Sequence, residues 1–328
     1  MRKVLRIGVL GTASIAVRSV IPALLGLEGD YELAGIASRN KDSVTEIAGQ
    51  FNCNYFVGYD SLLTEKGLDA VYIPLPPSLH YKYAKKALLR GLHVLVEKPL
   101  ACSLAETSEL VDLARKNKLV ILENFQFQRH SQLKTILDLV ADGRIGDLRC
   151  VRSSFGFPPF KDAENIRYQK ELGGGALLDA GAYPTKISQF FLGDDVSVGS
   201  ARLFFDPQRG VDTWGGAFIK QNNGPLFSEI AFGFDHHYQC SLELWGSKGK
   251  LFTNRIFTAP PRVKPVIELS TSAGTELIEL PADDHFKNML MHFHRLTAEC
   301  SEGLEIVYRE SVTQARLLQE IREKNIND

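Results

Sequence analysis

Between residues 4 and 124, short apolar runs rich in β-branched residues alternate with longer amphipathic segments, and no other feature constrains the fold of this chain so tightly. The runs 4–10, 32–37, 70–73, 93–96 and 119–122 lack the alternation of a half-exposed strand, so they read as strands buried on both faces. Segments 14–25, 41–51, 78–90 and 103–117 read as helices, two of them opened by a serine placed to cap, Ser78 and Ser103. Repeated strand–helix alternation requires right-handed parallel crossovers, hence an α/β chain built on a doubly wound sheet.

After Asn124 the texture changes. A helix over 131–141 leads to a strand over 148–157, a loop with Pro158 and Pro159, and a helix opened by Gly173-Gly174-Gly175. From 196 to about 280, alternating runs such as 214–220, 226–234 and 239–244 are separated by Gly, Pro, Asn and Asp, the pattern of a mainly antiparallel sheet. Helices over 284–300 and 306–323 follow. A chain of 328 residues suits two domains, and the change of texture puts them at 1–124 and 125–328.

Charge excludes some partners. With 38 Lys and Arg against 39 Asp and Glu, the net charge of −1 offers no broad positive field for nucleic acid or an anionic membrane surface. Cys53, Cys102, Cys150, Cys240 and Cys300 are an odd number with no two closer than 48 positions, which excludes CxxC motifs and fits reduced thiols in a cytoplasm. Arg2 and Lys3 before an apolar run imitate a secretory leader, but Arg6 and Arg18 bracket an uncharged run of only 11 residues that contains Gly8 and Gly11, better explained as strand and turn. No uncharged apolar run reaches the length of a membrane span. His236-His237 and His292-x-His294 lack a third close ligand, so no metal site is expected.

Four segments carry chemistry. Residues 7–16, Ile-Gly-Val-Leu-Gly-Thr-Ala-Ser-Ile-Ala, lie at the first strand-to-helix junction, where a G-x-G-x-x-G/A fingerprint cradles a pyrophosphate on a helix N-terminus. Aligned on Gly11 the segment reads G-x-A-x-x-A, a degenerate form that an ordinary βα turn also explains; its place in a βαβ unit favours the dinucleotide. The second strand ends in Ser38-Arg39-Asn40, where an NAD-specific enzyme carries an acid for the ribose 2′-hydroxyl; a hydroxyl and an arginine suit a 2′-phosphate, hence NADP(H). Glu97-Lys98-Pro99 follows a strand at the edge where α/β ligands bind, and Pro99 makes a cis bond possible. The glycines at 173–175 permit close approach of a ligand or another backbone, and Asp179 and Tyr183, four apart, share a helix face as a site pair or as a buried tyrosine satisfied by an aspartate.

Taken in order, the glycine turn, Glu97-Lys98-Pro99 and the stretch from Gly173 to Tyr183 resemble the glucose–fructose oxidoreductase / inositol dehydrogenase / MocA family over essentially the whole chain. The resemblance implies an N-terminal Rossmann domain binding NADP(H) and a C-terminal α/β domain, for substrate and oligomerisation, whose open sheet joins subunits as a dimer or tetramer. It implies cofactor contacts from Gly11, Thr12, Ala13, Ser14, Ile15, Ser38, Arg39, Asn40, Pro74, Leu75, His80, Glu97, Lys98 and Asn124. Many relatives end the DxGxH motif in histidine. Tyr183 stands there instead, which points to the branch in which the tyrosine donates a proton, the EKP lysine assists, and Asp179 supports them.

Segments 123–127, 166–169 and 254–261 resemble nucleotide-diphosphate-hexose 3-ketoreductases of deoxysugar biosynthesis. This narrower likeness implies NADPH-dependent reduction of a C3 keto group on a nucleotide-linked keto-deoxysugar, with Arg167 and Tyr168 among the substrate contacts. Lys161 and Lys170 flank Arg167 as further cations for a diphosphate. The alternatives are an NADP-dependent dehydrogenase of free sugars or trans-dihydrodiols and a non-catalytic NADP(H)-sensing regulator. Aromatic residues from Phe204 to Trp245 exceed what one sheet face usually leaves in water, which independently favours a homo-oligomer.

Overall fold

A computed structural model describes residues 4–298 and 302–326. Arg2, Lys3 and Cys300, the last residue expected of the penultimate helix, lie outside the described residues. The chain divides into two compact units.

In the first unit, strands β1 (Leu5–Leu10), β2 (Tyr31–Ser38), β3 (Tyr55–Val57), β4 (Ala70–Ile73), β5 (His93–Val96) and β6 (Ile121–Glu123) form an all-parallel sheet in the order β3-β2-β1-β4-β5-β6. This is the dinucleotide-fold order, with the reversal of direction falling between β1 and β4. Edge strand β3, only three residues long, escapes a pattern search. The connecting helices are α1 (Ile21–Leu25), α2 (Lys41–Phe51), α3 (Tyr59–Leu63), α4 (Pro77–Leu89) and α5 (Leu104–Asn117). The helical run expected over 14–25 is present, with Ala16–Val20 forming a wide π-type turn within it ahead of α1. Ser103 caps α5 by accepting the Glu106 N–H. Ser78 does not cap α4, because the helix already starts at Pro77, whose ring presets the first helical φ and has no N–H to satisfy.

The second unit contains α6 (Ser131–Ala141), α7 (Ala182–Leu192) and strands β7 (Leu148–Gly156), β8 (Val196–Phe205), β9 (Asp212–Gln221), β10 (Phe227–Gly233), β11 (Gln239–Gly246), β12 (Gly249–Thr253), β13 (Val266–Thr271) and β14 (Gly274–Glu279). Their sheet runs β14-β13-β12-β11-β7-β10-β9-β8, antiparallel except where β7 and β10 lie parallel. Alternation along β10 buries Ser228, Ile230 and Phe232 and exposes Glu229 and Ala231, so one face of this sheet is left open.

Helices α8 (His285–Ala298) and α9 (Glu302–Glu323) close the chain. They modify the expected linear division, for Phe286–Val312 belongs to the first unit while Phe125–His285 and Thr313–Asp328 form the second. The reason lies in the crossovers. Helices α3, α4 and α5 cover one sheet face through Leu62, Ala84, Leu88, Leu110 and Val111. On the other face, α1 and α2 supply Ile21, Leu24 and Val44, and Met289, Leu290, Phe293 and Leu296 of α8 complete the layer over Tyr72, Leu95 and Leu122. A parallel sheet needs both faces covered, and the local crossovers do not supply enough helix for the second. Further along, α9 serves the second unit: Gln314 donates to the Ala182 carbonyl and Glu320 accepts the Val198 N–H.

Candidate active site

In the first unit, the loops that follow the strands gather most of the expected cofactor residues at one sheet edge. The backbone ladder continues into these loops, with the N–H groups of Gly11, Glu97 and Asn124 donating to the carbonyls of Ala37, Ile73 and Val96. Gly11 has φ +128°, and a Cβ there would come within 3.0 Å of Leu75 and 3.3 Å of the Pro74 carbonyl. The turn and the loop after β4 therefore press together at a backbone only glycine adopts readily. Ser38 is buried and accepts the Asn40 N–H, Arg39 is exposed, and the Asn40 side chain accepts the Ser43 N–H as the cap of α2.

His80 is fully buried, with both ring nitrogens 2.7 Å from backbone carbonyl oxygens, those of Leu75 and Pro99. It thus tethers the loop that carries Leu75 to the loop that carries Pro99. Carbonyls only accept, so both contacts favour a doubly protonated ring, but burial outweighs them and pulls the pKa down to about 4, with a smaller push from the Lys98 charge. The Lys98–Pro99 bond is cis. Glu97 accepts hydrogen bonds from Tyr72 and Asn124, each 2.6 Å, yet desolvation holds its carboxyl above the usual range. The buried side-chain Oδ1 of Asn124 has no hydrogen-bond partner among the described residues. Together with the glycine turn, that orphaned acceptor fits a dinucleotide whose carboxamide presents N–H donors.

In the second unit, Tyr183 is buried near the start of α7 inside a box of four phenylalanine rings. Phe155, Phe257, Phe125 and Phe127 have centroids 5.1, 5.4, 5.6 and 5.9 Å from its own. The first two meet it edge-on or tilted, the geometry the ring quadrupoles prefer. Just ahead of α7, Leu177–Gly181 form a second wide π-type turn, which carries Asp179. Arg167 donates through Nε to Asp179 at 2.5 Å. Desolvation opposes the Arg167 charge, but Asp179 and Tyr183 outweigh it and raise the pKa, so the arginine, the carboxylate and the phenol form one electrostatic group. Tyr168 is buried as a wall, its hydroxyl accepting the Phe160 N–H, while Lys161 and Lys170 stay exposed.

The glycine run acts on the protein itself. A Cβ on Gly174 would meet the Arg167 carbonyl at 2.6 Å, and one on Gly175, at φ +115°, would meet Asp212 Oδ1 at 2.4 Å. Asp212, unmarked in the sequence, is buried and accepts the Leu177 N–H at 2.5 Å, so a carboxylate anchors the first turn that holds Asp179. Lys186 also escaped sequence reading: it is buried one turn after Tyr183, donates to Gln189 and lies 5.8 Å from the Phe125 ring centroid. Among the described residues, no three His, Cys, Asp or Glu side chains group as a metal site.

Two family profiles match, "Oxidoreductase family, NAD-binding Rossmann fold" over residues 5–125 and "GFO/IDH/MocA C-terminal domain" over residues 133–252. The chain belongs to the GFO/IDH/MocA oxidoreductase family. Among its relatives, the dTDP-3,4-didehydro-2,6-dideoxy-alpha-D-glucose 3-reductase of Streptomyces antibioticus is 38% identical over 97% of this chain and 96% of its own. The protein of the same name from Saccharopolyspora spinosa is 39% identical over 90% of this chain and 88% of its own. A 3-ketoreductase from Actinomadura kijaniata, crystallised with NADP and TDP-benzene, superposes with a TM-score of 0.93 at 36% identity over 98% of both chains. Structures of that protein with a tyrosine changed to phenylalanine, or a lysine to alanine, also match.

The His80 tether has a pH signature. Its folded pKa of about 4 lies below the 6.5 of free imidazole, so the unfolded chain takes up the proton first. The contribution is complete above pH 6.5 and is lost as pH falls toward 4, at up to about 1.4 kcal/mol per pH unit. Glu97, shifted upward, acts with the opposite sign, so the difference between variants isolates the histidine. In denaturant unfolding, His80→Gln should be less stable than the parent at pH 7 by about 1–3 kcal/mol and lose less stability on acidification; parallel pH profiles would contradict the assignment.

Proposed function

We propose that this protein is an NADPH-dependent reductase of a keto group, at C3, on a nucleotide-linked keto-deoxysugar. The observation that carries the reading is Tyr183, a phenol fixed by four rings beside an Arg167–Asp179 ion pair. It stands on a chain that matches dTDP-sugar 3-reductases over nearly full length. Reduction of a ketone to an alcohol requires a hydride at carbon and a proton at oxygen. When bound, NADPH supplies the hydride. The Tyr183 hydroxyl supplies the proton, and its ring packing fixes where the hydroxyl points. The Arg167 cation favours the phenolate left after transfer, and Lys98 keeps the assisting role that the family resemblance implies. Asp179 sets the position of Arg167 and keeps its charge compensated.

Cofactor binding is assigned to the glycine turn and the loops after β2, β4, β5 and β6. Ser38 and Arg39 take the 2′-phosphate, Glu97 orients Asn124, and His80 acts at one remove by holding the loops of Leu75 and Pro99. Among the described residues Cys53, Cys102, Cys150 and Cys240 form no disulfide, which suits a cytoplasmic setting, where NADPH is kept reduced. The open face of the second sheet carries Phe204 stacked on Trp214 at 5.2 Å and Trp245 beneath Arg152, all exposed, and we assign it to a homo-oligomer interface.

Three outcomes are expected. With nucleotide-linked 3-keto sugar and NADPH, Tyr183→Phe keeps the ring and deletes the proton, so kcat falls about 10²–10⁴-fold with substrate affinity retained; a near-normal kcat would transfer the role to another group. Arg39→Ala should weaken NADPH about tenfold or more and leave NADH unchanged, as read by fluorescence titration. Light scattering at working concentration should report a dimer or tetramer, and a monomer would remove the open face from the argument.

A further inference from the structure

Cys240, a buried thiol with no part in the proton transfer, engages two of the four rings around Tyr183. In the antiparallel pairing of β11 with β7 it stands directly opposite Phe155, so both side chains leave the sheet on the same face. Of the four rings, Phe155 has its centroid nearest to that of Tyr183, at 5.1 Å. Cys240 also grips the loop that carries Phe257. Its carbonyl accepts the Ile256 N–H at 3.1 Å, and its Sγ accepts the Phe257 N–H and the Thr258 hydroxyl, each at 3.3 Å. Three consecutive loop residues are thereby fixed to one position of the sheet. From there the Phe257 ring meets Tyr183 at 5.4 Å, Phe155 at 5.4 Å and Phe127 at 5.1 Å.

Sulfur is a weak acceptor, and a directed chain of donors supports it here. Arg255 can only donate, and its guanidinium gives a hydrogen bond to the Tyr238 hydroxyl at 3.1 Å while lying 5.1 Å from that ring's centroid. The Tyr238 oxygen therefore accepts, and its own proton goes to Thr258 Oγ1 at 2.7 Å. Thr258 has one proton to pass on, and Cys240 Sγ receives it. Burial raises the Tyr238 pKa, which keeps the phenol protonated as this order requires. Bonds in such a chain polarise one another. Gln132 of α6 holds the start of the same loop by donating to the Arg255 carbonyl at 3.0 Å.

We propose that the chain Arg255–Tyr238–Thr258–Cys240 is a positioning device for Tyr183, in which Cys240 sets Phe155 and Phe257 against the phenol. It acts through those rings on where the hydroxyl points and on how freely the Tyr183 ring turns. The functional consequence rests on the reading of Tyr183 as proton donor given above. Transfer needs donor and acceptor within hydrogen-bond reach, and a misplacement of about 1 Å can cost about a hundredfold in rate.

The test pairs fluorine NMR with steady-state kinetics on the full chain. In fluorotyrosine-labelled protein the Tyr183 resonance is identified by its loss in Tyr183→Phe. Cys240→Ala should shift that resonance and lower kcat about tenfold, with KM for NADPH unchanged. Thr258→Val, at a half-exposed position, should do the same to a smaller degree, and it decides alone if Cys240→Ala does not fold. Cys240→Ser keeps an acceptor in the same place and should return resonance and kcat close to the parent values. A merely structural cysteine would lower the melting temperature and move neither. If the folded variants keep the parent resonance and kcat, or if Cys240→Ser is impaired as far as Cys240→Ala, the inference fails while the reductase reading stands. If the parent itself does not reduce the nucleotide-linked 3-keto sugar, the reductase reading falls, and the Tyr183 resonance still decides whether the chain positions the ring.

Discussion

Every strand of a parallel sheet ends at the same edge, and the first unit depends on that constraint. Because β1, β2, β4, β5 and β6 run in one direction, Gly11, Ser38, Pro74, Glu97 and Asn124 arrive together although more than a hundred residues separate the first from the last. Hydrogen bonds from Gly11, Glu97 and Asn124 back to neighbouring strands carry the order of the sheet into the loops, where mobility would otherwise be expected. Burial of both faces is the condition for this arrangement. It explains why α8 is recruited to a unit from which it is distant in sequence.

Aromatic packing encloses Tyr183. Its phenylalanine neighbours come from the chain after β6, the end of β7 and the loop after β12. Rings of this size hold a side chain in one rotamer at little entropic cost, and they exclude water from the phenol's surroundings. The wide turn at Leu177–Gly181 inserts an extra residue before α7, and Asp212 anchors it from another strand. Wide turns of this kind recur at functional sites because they re-aim side chains that a regular helix would place elsewhere.

How much was legible varied with the range of the interaction. The strands at 70–73 and 93–96 and the helices at 41–51 and 131–141 match their expected limits, since local hydrophobic pattern and the chemistry of their ends decide them. Tyr183, Asp179 and Lys98 stood out because short motifs carry them, and Arg167 because its segment resembles the 3-ketoreductases and it offers a cation for a diphosphate. His80 entered the cofactor set by resemblance, and its two carbonyl contacts make it a tether. Asp212 and Cys240 had no local signal for their contacts: one acts on a helix start 35 residues away, and the other on a loop N–H 17 residues away.

The sequence by itself determined the α/β class, the change from a parallel to a mainly antiparallel sheet, and the residue types able to hold a dinucleotide and move a proton. Each is written in periodicity or in short motifs, which depend on neighbours a few positions apart. Only the tertiary structure decided that the triple glycine accommodates Arg167 and Asp212, that four rings enclose Tyr183, and that α9 contributes to both units. These features arise where segments far apart in the chain compete for the same buried volume, and close packing settles that competition only when the whole chain is folded.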